Sequence, residues 1–384
     1  MDLDSVIARA RNVAREILGP EAHSVDEERR WPEAGIRALQ DMRLTALTIP
    51  KDQGGLGYGL LALARVCEEL GRECASTSIC FGMHAVGTAV IAAKATSIQQ
   101  SQFLTSIAEG KHITSLALSE PGTGTHFYYP QTKLSLDGNA NLLLSGTKCF
   151  VTNGGHANSY VVSTVSADPD APPGHFSCVV LPAGTKGMQW GPAWSGMGMR
   201  GNSSCSVELK DVQIPRENLL GNEGDQIWYV FNVITPYFLV AMAGTYLGLA
   251  SAALDEAGKN VKERRHEHSG ALLADNQVIQ HRLGTIWAKV ARTRALLYHA
   301  ASKGDAGDPD ALLGLFSAKA EVAVCAVDVV GQAMTLSGGR GYRDGSRLHR
   351  MLRDVQASHI MAPTTDTLRS WTGRALLGLP ILSD

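Results

Sequence analysis

The chain has 384 residues and a formal net charge of −2, because 35 Lys and Arg residues oppose 37 Asp and Glu residues. This length predicts two or three domains, and the near-neutral charge argues against nucleic-acid binding, which needs a basic surface. The seven cysteines are odd in number and form no CxxC pair, so they predict a reducing, cytoplasmic location without a disulfide framework. His266-Glu267-His268 lacks the HExxH spacing of a zinc site, so no metal site is expected.

Helical periodicity covers the first 112 residues, which we predict to form an α-helical domain. Apolar residues recur at helical spacing between residues 4 and 18, and Gly19-Pro20 is expected to end that helix. Two more apolar-rich helical stretches follow, at about 60–71 and 77–94.

A strand pattern replaces the helical one over residues 113–222, which we predict to form a small antiparallel β-domain. Short runs rich in β-forming residues are separated there by turn residues. The predicted strands cover residues 113–118, 142–151, 159–165, 176–181 and 205–209.

Long helices return over residues 223–384. Residues 228–254 carry no charged side chain and are long enough to cross a bilayer. Asn232 and Pro236 lie within this run, and polar helix continues on both sides, so a buried core helix is favoured over a membrane span. The order of helices, strands and helices predicts an α+β fold. The predicted helices cover about 224–262, 276–303, 308–336, 347–359 and 366–377.

Five segments, in matching order, resemble those of the acyl-CoA dehydrogenase family. They are 117–125 (ALSEPGTGT), 145–155 (SGTKCFVTNGG), 198–204 (GMRGNSS), 247–257 (LGLASAALDEA) and 337–342 (SGGRGY). Each segment alone is weak, but their order and spacing extend over essentially the whole chain. The resemblance implies an N-terminal helical domain at 1–112, a middle antiparallel β-domain at 113–222 and a C-terminal four-helix-bundle domain at 223–384.

The resemblance also implies an FAD-dependent oxidoreductase that forms a homo-oligomer, a tetramer or a dimer. In such a site Ser119 and Thr152 would hydrogen-bond the edge of the flavin ring, Phe150 would pack on the ring, and Thr125 would reach the phosphates. Gln277 would help to hold the FAD of a neighbouring subunit. The cofactor-binding residues that the resemblance implies are Leu118, Ser119, Thr125, Phe150, Thr152, Gln277, Gly338, Gly339 and Thr364.

The catalytic base of the family is missing from both of its usual places. Most members carry a glutamate near the C-terminus that removes the α-proton, and here Ala362 takes that position. A minority carries the base on the central helix, where this chain has Phe238 and Leu239. The arginine near Leu239 and the aspartate near Pro236 that bind coenzyme A in many members are also absent. These losses would suit a carrier-protein thioester or a substrate without a thioester.

Four side chains are candidates to replace the base. His126 stands where the flavin-binding loop usually has Asp, and an imidazole titrates near neutral pH. His84 resembles a position near the substrate cavity, and His359 and Asp366 flank Ala362. A structural role is the simpler interpretation of each, so the catalytic residue stays unassigned.

Three functions remain open from the sequence. The first is α,β-dehydrogenation or oxidation of an acyl thioester, linked to coenzyme A or to a carrier protein, with a non-standard base. The second is a flavin-dependent monooxygenase or oxidase on the same fold, which does not need the usual glutamate. The third is a catalytically silent subunit that binds FAD.

Overall fold

The computed structural model describes residues 2–137, 141–168, 170–172 and 174–382. Its N-terminal part is helical, as predicted, and its core is built from the apolar faces of α1, α3, α4 and α5. The helices of this part are α1 (Leu3–Val13), α2 (Gly19–Glu27), α3 (Glu33–Asp41), α4 (Leu60–Glu73), α5 (Ala75–Ala93), α6 (Ser97–Gln99) and α7 (Thr105–Ala108).

The first helix does not end at Gly19-Pro20, so that prediction is wrong. A π-helical turn over Ala14–Leu18 joins α1 to α2, and the Gly19 N–H donates to the carbonyl of Ala14, five residues earlier. Pro20 then lies in the first turn of α2. Proline has no N–H to donate, and the widened turn before it changes the hydrogen-bonding pattern at this point, so the helical path continues through Pro20. Widened turns of this kind are rare and leave no simple sequence pattern.

Seven strands form two sheets in the described part of residues 113–222. The first sheet has the order β1-β4-β5 and the second has the order β2-β3-β7-β6. The strands are β1 (Thr114–Ala117), β2 (Lys133–Leu136), β3 (Leu142–Val151), β4 (Ser159–Val165), β5 (Phe176–Pro182), β6 (Met188–Trp190) and β7 (Cys205–Ile214).

One strand pair departs from the predicted antiparallel arrangement. β1 pairs with β4 in parallel, whereas the other pairs in both sheets are antiparallel. A parallel pair needs a long connection, and here the loop after β1 together with β2 and β3 supplies it. The pattern of residues 133–136 and 188–190 is too short to predict strands, and β7 continues past the predicted end at residue 209.

The C-terminal part is a helical bundle in which α11 packs against α9, α10 and α15. A π-helical turn over Val230–Ile234 makes α8 and α9 nearly continuous. The helices are α8 (Gln226–Tyr229), α9 (Thr235–Glu263), α10 (Gln277–Asp305), α11 (Ala311–Ser337), α12 (Gly339–Tyr342), α13 (Arg347–Val355), α14 (Ala357–Ile360) and α15 (Thr365–Leu376).

The two helical parts meet where α4 crosses α9, and small residues permit this contact. A Cβ atom added at Gly244 would lie 2.4 Å from the carbonyl oxygen of Ala64, and one at Gly248 would lie 2.3 Å from that of Glu68. Distances this short are forbidden, so the backbones approach more closely than any larger residue allows. The N-terminal and C-terminal helices therefore share one core.

In the described part of the chain, two helical stretches are long and apolar enough to cross a membrane. They are Ala75–Ala93, whose most apolar part is 94% buried inside the protein, and Gln226–Glu263, whose most apolar part is 83% buried. Burial this high is typical of core helices in a globular protein, because a membrane-spanning helix presents many apolar side chains to lipid. The prediction of a buried core helix over residues 228–254 agrees with this arrangement.

Candidate active site

A cavity of about 620 Å³ lies where the β-domain meets the C-terminal helices. Its wall is formed mainly by apolar side chains, with a few hydroxyl and amide groups, as in most cofactor and substrate sites. Three segments supply most of the wall: the loop after β1, the 194–204 loop before β7, and residues 356–363 around α14. Important lining residues are Met83, Leu116, Leu118, Ser119, Thr125, Phe127, Phe150, Thr152, Trp194, Met197, Ile234, Phe238, Arg353, Ile360, Met361, Ala362 and Pro363.

Phe150 stands on the open side of this cavity because β3 bulges just before it. The pairing of β3 with β7 shifts register between Lys148 and Val151, and Phe150 has a positive φ of 54°. A bulge re-aims a side chain out of the sheet pattern. Phe150 is 65% exposed, and its ring packs edge-to-face with that of Trp194, with the ring centroids 6.2 Å apart. A large aromatic surface is thus presented to whatever fills the cavity.

The loop after β1 is held in place by a buried ion pair. Lys148 on β3 lies 2.6 Å from a carboxylate oxygen of Glu120 and also donates to the carbonyl oxygens of Leu118 and Ser163. The Glu120 carboxylate accepts further hydrogen bonds from the N–H and hydroxyl of Thr132. Burial alone would raise the pKa of Glu120, but the Lys148 ammonium and these hydrogen bonds hold it below its usual value. Glu120 is therefore an anchor that remains ionised.

Five of the nine predicted cofactor residues line the cavity, namely Leu118, Ser119, Thr125, Phe150 and Thr152. Two of them are fixed by contacts to β3 and to the loop before β7. The carbonyl oxygen of Ser119 accepts from the N–H of Cys149 at 2.8 Å. The hydroxyl oxygens of Thr152 and Ser204 lie 3.2 Å apart.

The other four predicted cofactor residues do not line this cavity. Gln277 is exposed at the start of α10. Gly338 lies between α11 and α12, and Gly339 begins α12. Gly338 has a positive φ of 57°, and a Cβ atom added to it would lie 3.4 Å from the Arg264 guanidinium. Thr364 caps α15, and its hydroxyl accepts from the N–H of Thr367 at 3.2 Å. The structure therefore brings Gly338 close to the side chain of Arg264.

The residues around the cavity fit a bound flavin. The exposed ring of Phe150 offers a flat apolar surface, and Ser119 and Thr152 offer hydrogen-bonding groups beside it. Next to Thr125, the loop residues Gly122 and Gly124 have positive φ values, and a Cβ atom added to either would meet no atom within 4 Å. The backbone there is accessible to a phosphate group. When bound, the cofactor would therefore be held by the loop after β1 and by the end of β3.

Neither usual base position offers a carboxylate to the cavity. Ala362 and Phe238 both line it, as the sequence predicted for the two positions. Among the described lining residues the ionisable side chains are Glu120, Cys149 and Arg353. Glu120 is paired with Lys148, Arg353 is paired with Asp26, and burial raises the pKa of the Cys149 thiol. We find no ready proton acceptor in this described wall.

The four candidate bases lie outside the cavity wall. His126 is half-buried, and its ring meets those of Tyr128 and Tyr129 at centroid distances of 5.8 and 6.5 Å. Asp366 is exposed in the first turn of α15. His359 lies 2.9 Å from the Thr365 hydroxyl. Its pKa is lowered by burial and by the nearby charges of Lys319 and Arg369.

His84 has a structural environment. Its Nδ1 accepts from the N–H of Thr114 at 3.1 Å, so its Nε2 carries the proton and donates to the Thr45 carbonyl at 2.9 Å. Burial lowers the pKa of His84 to about 4, because a charged imidazolium would lose its solvation there. Both ring nitrogens serve the backbone, which leaves neither for substrate.

We expect the burial of His84 to make the fold sensitive to acid. The unfolded imidazole takes up a proton near pH 6.5 and the folded one only near pH 4, so stability is full above pH 6.5 and falls between these values. The loss should reach roughly 3 kcal/mol by pH 4. Urea unfolding at pH 7.5, 5.5 and 4.5 measures it, and His84→Gln should show a smaller decrease. Equal decreases in both proteins would contradict the expectation.

The sequence missed the Trp194–Met199 part of the wall. The Trp194 indole N–H donates to the Met199 carbonyl, and a Cβ atom on Gly196 would lie 2.2 Å from the Trp194 ring. Glycine at position 196 is thus required by the fold of this loop. The available signal was the spacing of Gly196 and Gly198 after an isolated tryptophan, which does not reveal a cavity wall without the fold.

Comparisons with known proteins agree with this architecture. The acyl-CoA dehydrogenase N-terminal, middle and C-terminal domain families match residues 2–111, 115–212 and 237–377. The chain is 31% identical over 368 residues to cyclohex-1-ene-1-carbonyl-CoA dehydrogenase of Geobacter metallireducens, covering 96% of each chain.

Solved structures show the same fold. Butyryl-CoA dehydrogenase from Megasphaera elsdenii is similar with a TM-score of 0.92 and 26% identity, covering 98% of this chain and 100% of that one. The prolyl acyl carrier protein oxidase AnaB shares the fold with a TM-score of 0.87 and 22% identity, covering 97% of this chain and 98% of its own. From motifs, site and family matches together, the chain belongs to the acyl-CoA dehydrogenase family of FAD-dependent oxidoreductases.

Proposed function

We propose that this protein oxidises an acyl thioester between its α- and β-carbons with FAD as cofactor, without the family's usual glutamate base. The observation that supports this most is the apolar cavity in which exposed Phe150 and the predicted flavin-contacting residues meet Ala362. In family members the reaction combines loss of the α-proton with hydride loss from the β-carbon. FAD, when bound, accepts that hydride.

The chain's own residues would bind and orient the acyl group. Met83, Ile234 and Phe238 provide an apolar wall that excludes water from the reacting carbons. Because the described wall offers no free carboxylate, the α-proton must leave to a group that the substrate brings or to one outside this wall. Half-buried His126, on the loop that continues the cavity wall, is the first such group to test.

We propose a carrier-protein thioester as well as a coenzyme A thioester as substrate class. Leu239, which is 1% exposed, and Pro236, in the first turn of α9, are both uncharged. Neither position therefore offers the charged groups that bind coenzyme A in many members. AnaB, with the same fold, is described as an oxidase of a carrier-linked prolyl group. A carrier would supply binding energy through protein contacts, which reduces the need for groups that recognise the nucleotide.

A second candidate function is a flavin-dependent monooxygenase or oxidase. The lack of a free carboxylate in the described wall favours it, because such chemistry does not need a base at position 362. Oxygen consumption in the presence of reduced flavin separates this function from dehydrogenation. A silent FAD-binding subunit is the third possibility, and it would show neither activity.

The purified protein should be yellow and contain one FAD per chain. The five cofactor residues gathered at the cavity give the reason for this expectation. Absorbance of the released flavin against protein concentration gives the ratio. A colourless protein that also takes up no added FAD would contradict both the cofactor and the proposed function.

We further propose a cytoplasmic homo-oligomer, a tetramer or a dimer. Trp287 and Val278 on α10 are 64% and 61% exposed, and they lie on the same helix as Gln277. Large exposed apolar side chains favour a covered surface. A subunit interface along α10 would bring Gln277 to a neighbouring chain, as the family resemblance implies.

A further inference from the structure

A buried lysine supports the part of the cavity wall that contains Ala362. Lys319 on α11 is 1% exposed, and its ammonium nitrogen donates to the carbonyl oxygens of Ser358 at 2.9 Å, Met361 at 3.3 Å and Pro363 at 2.9 Å. An ammonium group has three N–H donors, so these three carbonyls satisfy all of them.

The counter-charge usual for a buried ammonium is absent among the described residues. No carboxylate of the described chain lies within salt-bridge distance of Lys319, in contrast to Lys148, which pairs with Glu120. Burying an unpaired ammonium is expensive, and only well-placed dipoles compensate for it. All the acceptor carbonyls belong to residues 358–363, and residues 360–363 line the cavity.

We propose that Lys319 is a positioning residue: it ties the Ser358–Pro363 segment to α11 and so fixes the wall that faces the flavin and the acyl group. That FAD and an acyl group occupy the cavity rests on the proposed function. The contacts of Lys319 with the backbone carbonyls do not depend on it, because they are part of the fold. The 27-residue helix α11 is packed by α9, α10 and α15, and provides a rigid base. The segment itself consists of the four-residue helix α14 and an irregular turn, which have few backbone bonds of their own.

Protonation of Lys319 should control this wall. Burial lowers the pKa of Lys319 to about 8. Together with burial, the charge of Lys319 lowers the pKa of His359 on α14. The charges of Arg369 and Asp366 on α15 also act on that imidazole. Glu321, on the same helix as Lys319, pairs with Arg369 at 3.5 Å. A neutral amine has only two N–H donors, so one of the three carbonyls loses its hydrogen bond as the pH rises through 8.

The test compares wild type with Lys319→Gln, which keeps two N–H donors, and with Lys319→Met, which keeps none. Hydrogen exchange followed by mass spectrometry reports on residues 357–364, and FAD fluorescence reports on cofactor affinity. We expect exchange of this segment and the Kd for FAD each to rise about tenfold in Lys319→Gln, and further in Lys319→Met. Lys303→Gln, which alters a partly exposed pair with Asp308 at 3.1 Å, is the matched control and should change neither.

A pH series distinguishes positioning from simple stability, and its first measurement uses wild type alone. The visible flavin band of wild type should change with a midpoint near pH 8, and that change should be absent in Lys319→Gln. Unchanged segment exchange, or raised exchange with an unaltered flavin band and Kd, would overturn the proposal. If wild type binds no FAD, the proposed function fails, while segment exchange in the variants still decides whether Lys319 holds the wall.

Discussion

Straight-chain acyl-CoA substrates should reduce the flavin of this protein slowly or not at all. A positioned base contributes about 10²–10⁴-fold to a proton transfer, and the described wall presents Ala362 and Phe238 where the family carries it. Glu120 lies at the same cavity but is tied to Lys148 and Thr132. Anaerobic mixing with acyl-CoAs of several lengths, followed by flavin absorbance, measures the rate.

The variant Ala362→Glu tests two things: whether residue 362 lies where the family's base acts, and whether a carboxylate there speeds the reaction. Reduction should become about 10²-fold faster if residue 362 faces the α-carbon as in the family. Ala357→Glu introduces the same side chain elsewhere on the same cavity wall and should give no gain. Rapid reduction of the wild-type flavin by any common acyl-CoA would refute the expectation, and loss of that rate in His126→Gln would then identify the base.

Loss of the Lys148 ammonium should destabilise the protein more than almost any surface change. In Lys148→Met the Glu120 carboxylate stays buried without its partner, which costs about 3–5 kcal/mol. The loop after β1 also loses the hydrogen bond from Lys148 to the Leu118 carbonyl, so FAD affinity should fall as well. Urea unfolding measured by circular dichroism gives the stability, and flavin fluorescence gives the affinity.

Three further variants separate charge pairing from general damage: Glu120→Gln, the double variant Glu120→Gln/Lys148→Met, and Lys210→Met. The double variant Glu120→Gln/Lys148→Met should lose less stability than the two single variants added together, because it leaves no unpaired charge. Lys210→Met breaks the pair with Glu208 at 3.2 Å, where both side chains are about half exposed, and should cost less than about 1 kcal/mol. A Lys148→Met protein as stable as Lys210→Met would show that the buried pair is unimportant.

The local pattern of apolar and β-forming residues predicted the helices and strands whose side chains are buried at a regular spacing along the sequence. β3 and β4 begin and end at the predicted residues, because each is a continuous β-forming run bounded by turns. The parallel pairing of β1 was not predictable in this way, since strand direction depends on the path of the whole chain. Likewise the first helix continues through Pro20 because a π-helical turn changes its hydrogen bonding, which periodicity does not detect.

The site was predictable where a residue type itself carries the chemistry. Phe150, Ser119 and Thr152 were named from motif resemblance, and the structure places them at one cavity. The left-handed backbone that exposes Phe150 comes from a bulge and has no sequence signal. The carbonyl contacts of Lys319 depend on a turn about 40 residues later in the chain, so that a lysine in an apolar helix was the only available clue.

The close contact between α4 and α9 has a consequence for how the chain is made. Ribosomes add about 5–20 residues per second, so α4 is synthesised roughly ten to thirty seconds before the helix that covers it. During that interval the apolar face of α4, including Leu63 and Leu70, has no α9 to pack against. The nascent chain is therefore most vulnerable to aggregation before residue 263 emerges. A larger side chain at Gly244 or Gly248 would prolong that exposure and lower the yield of folded protein in cells.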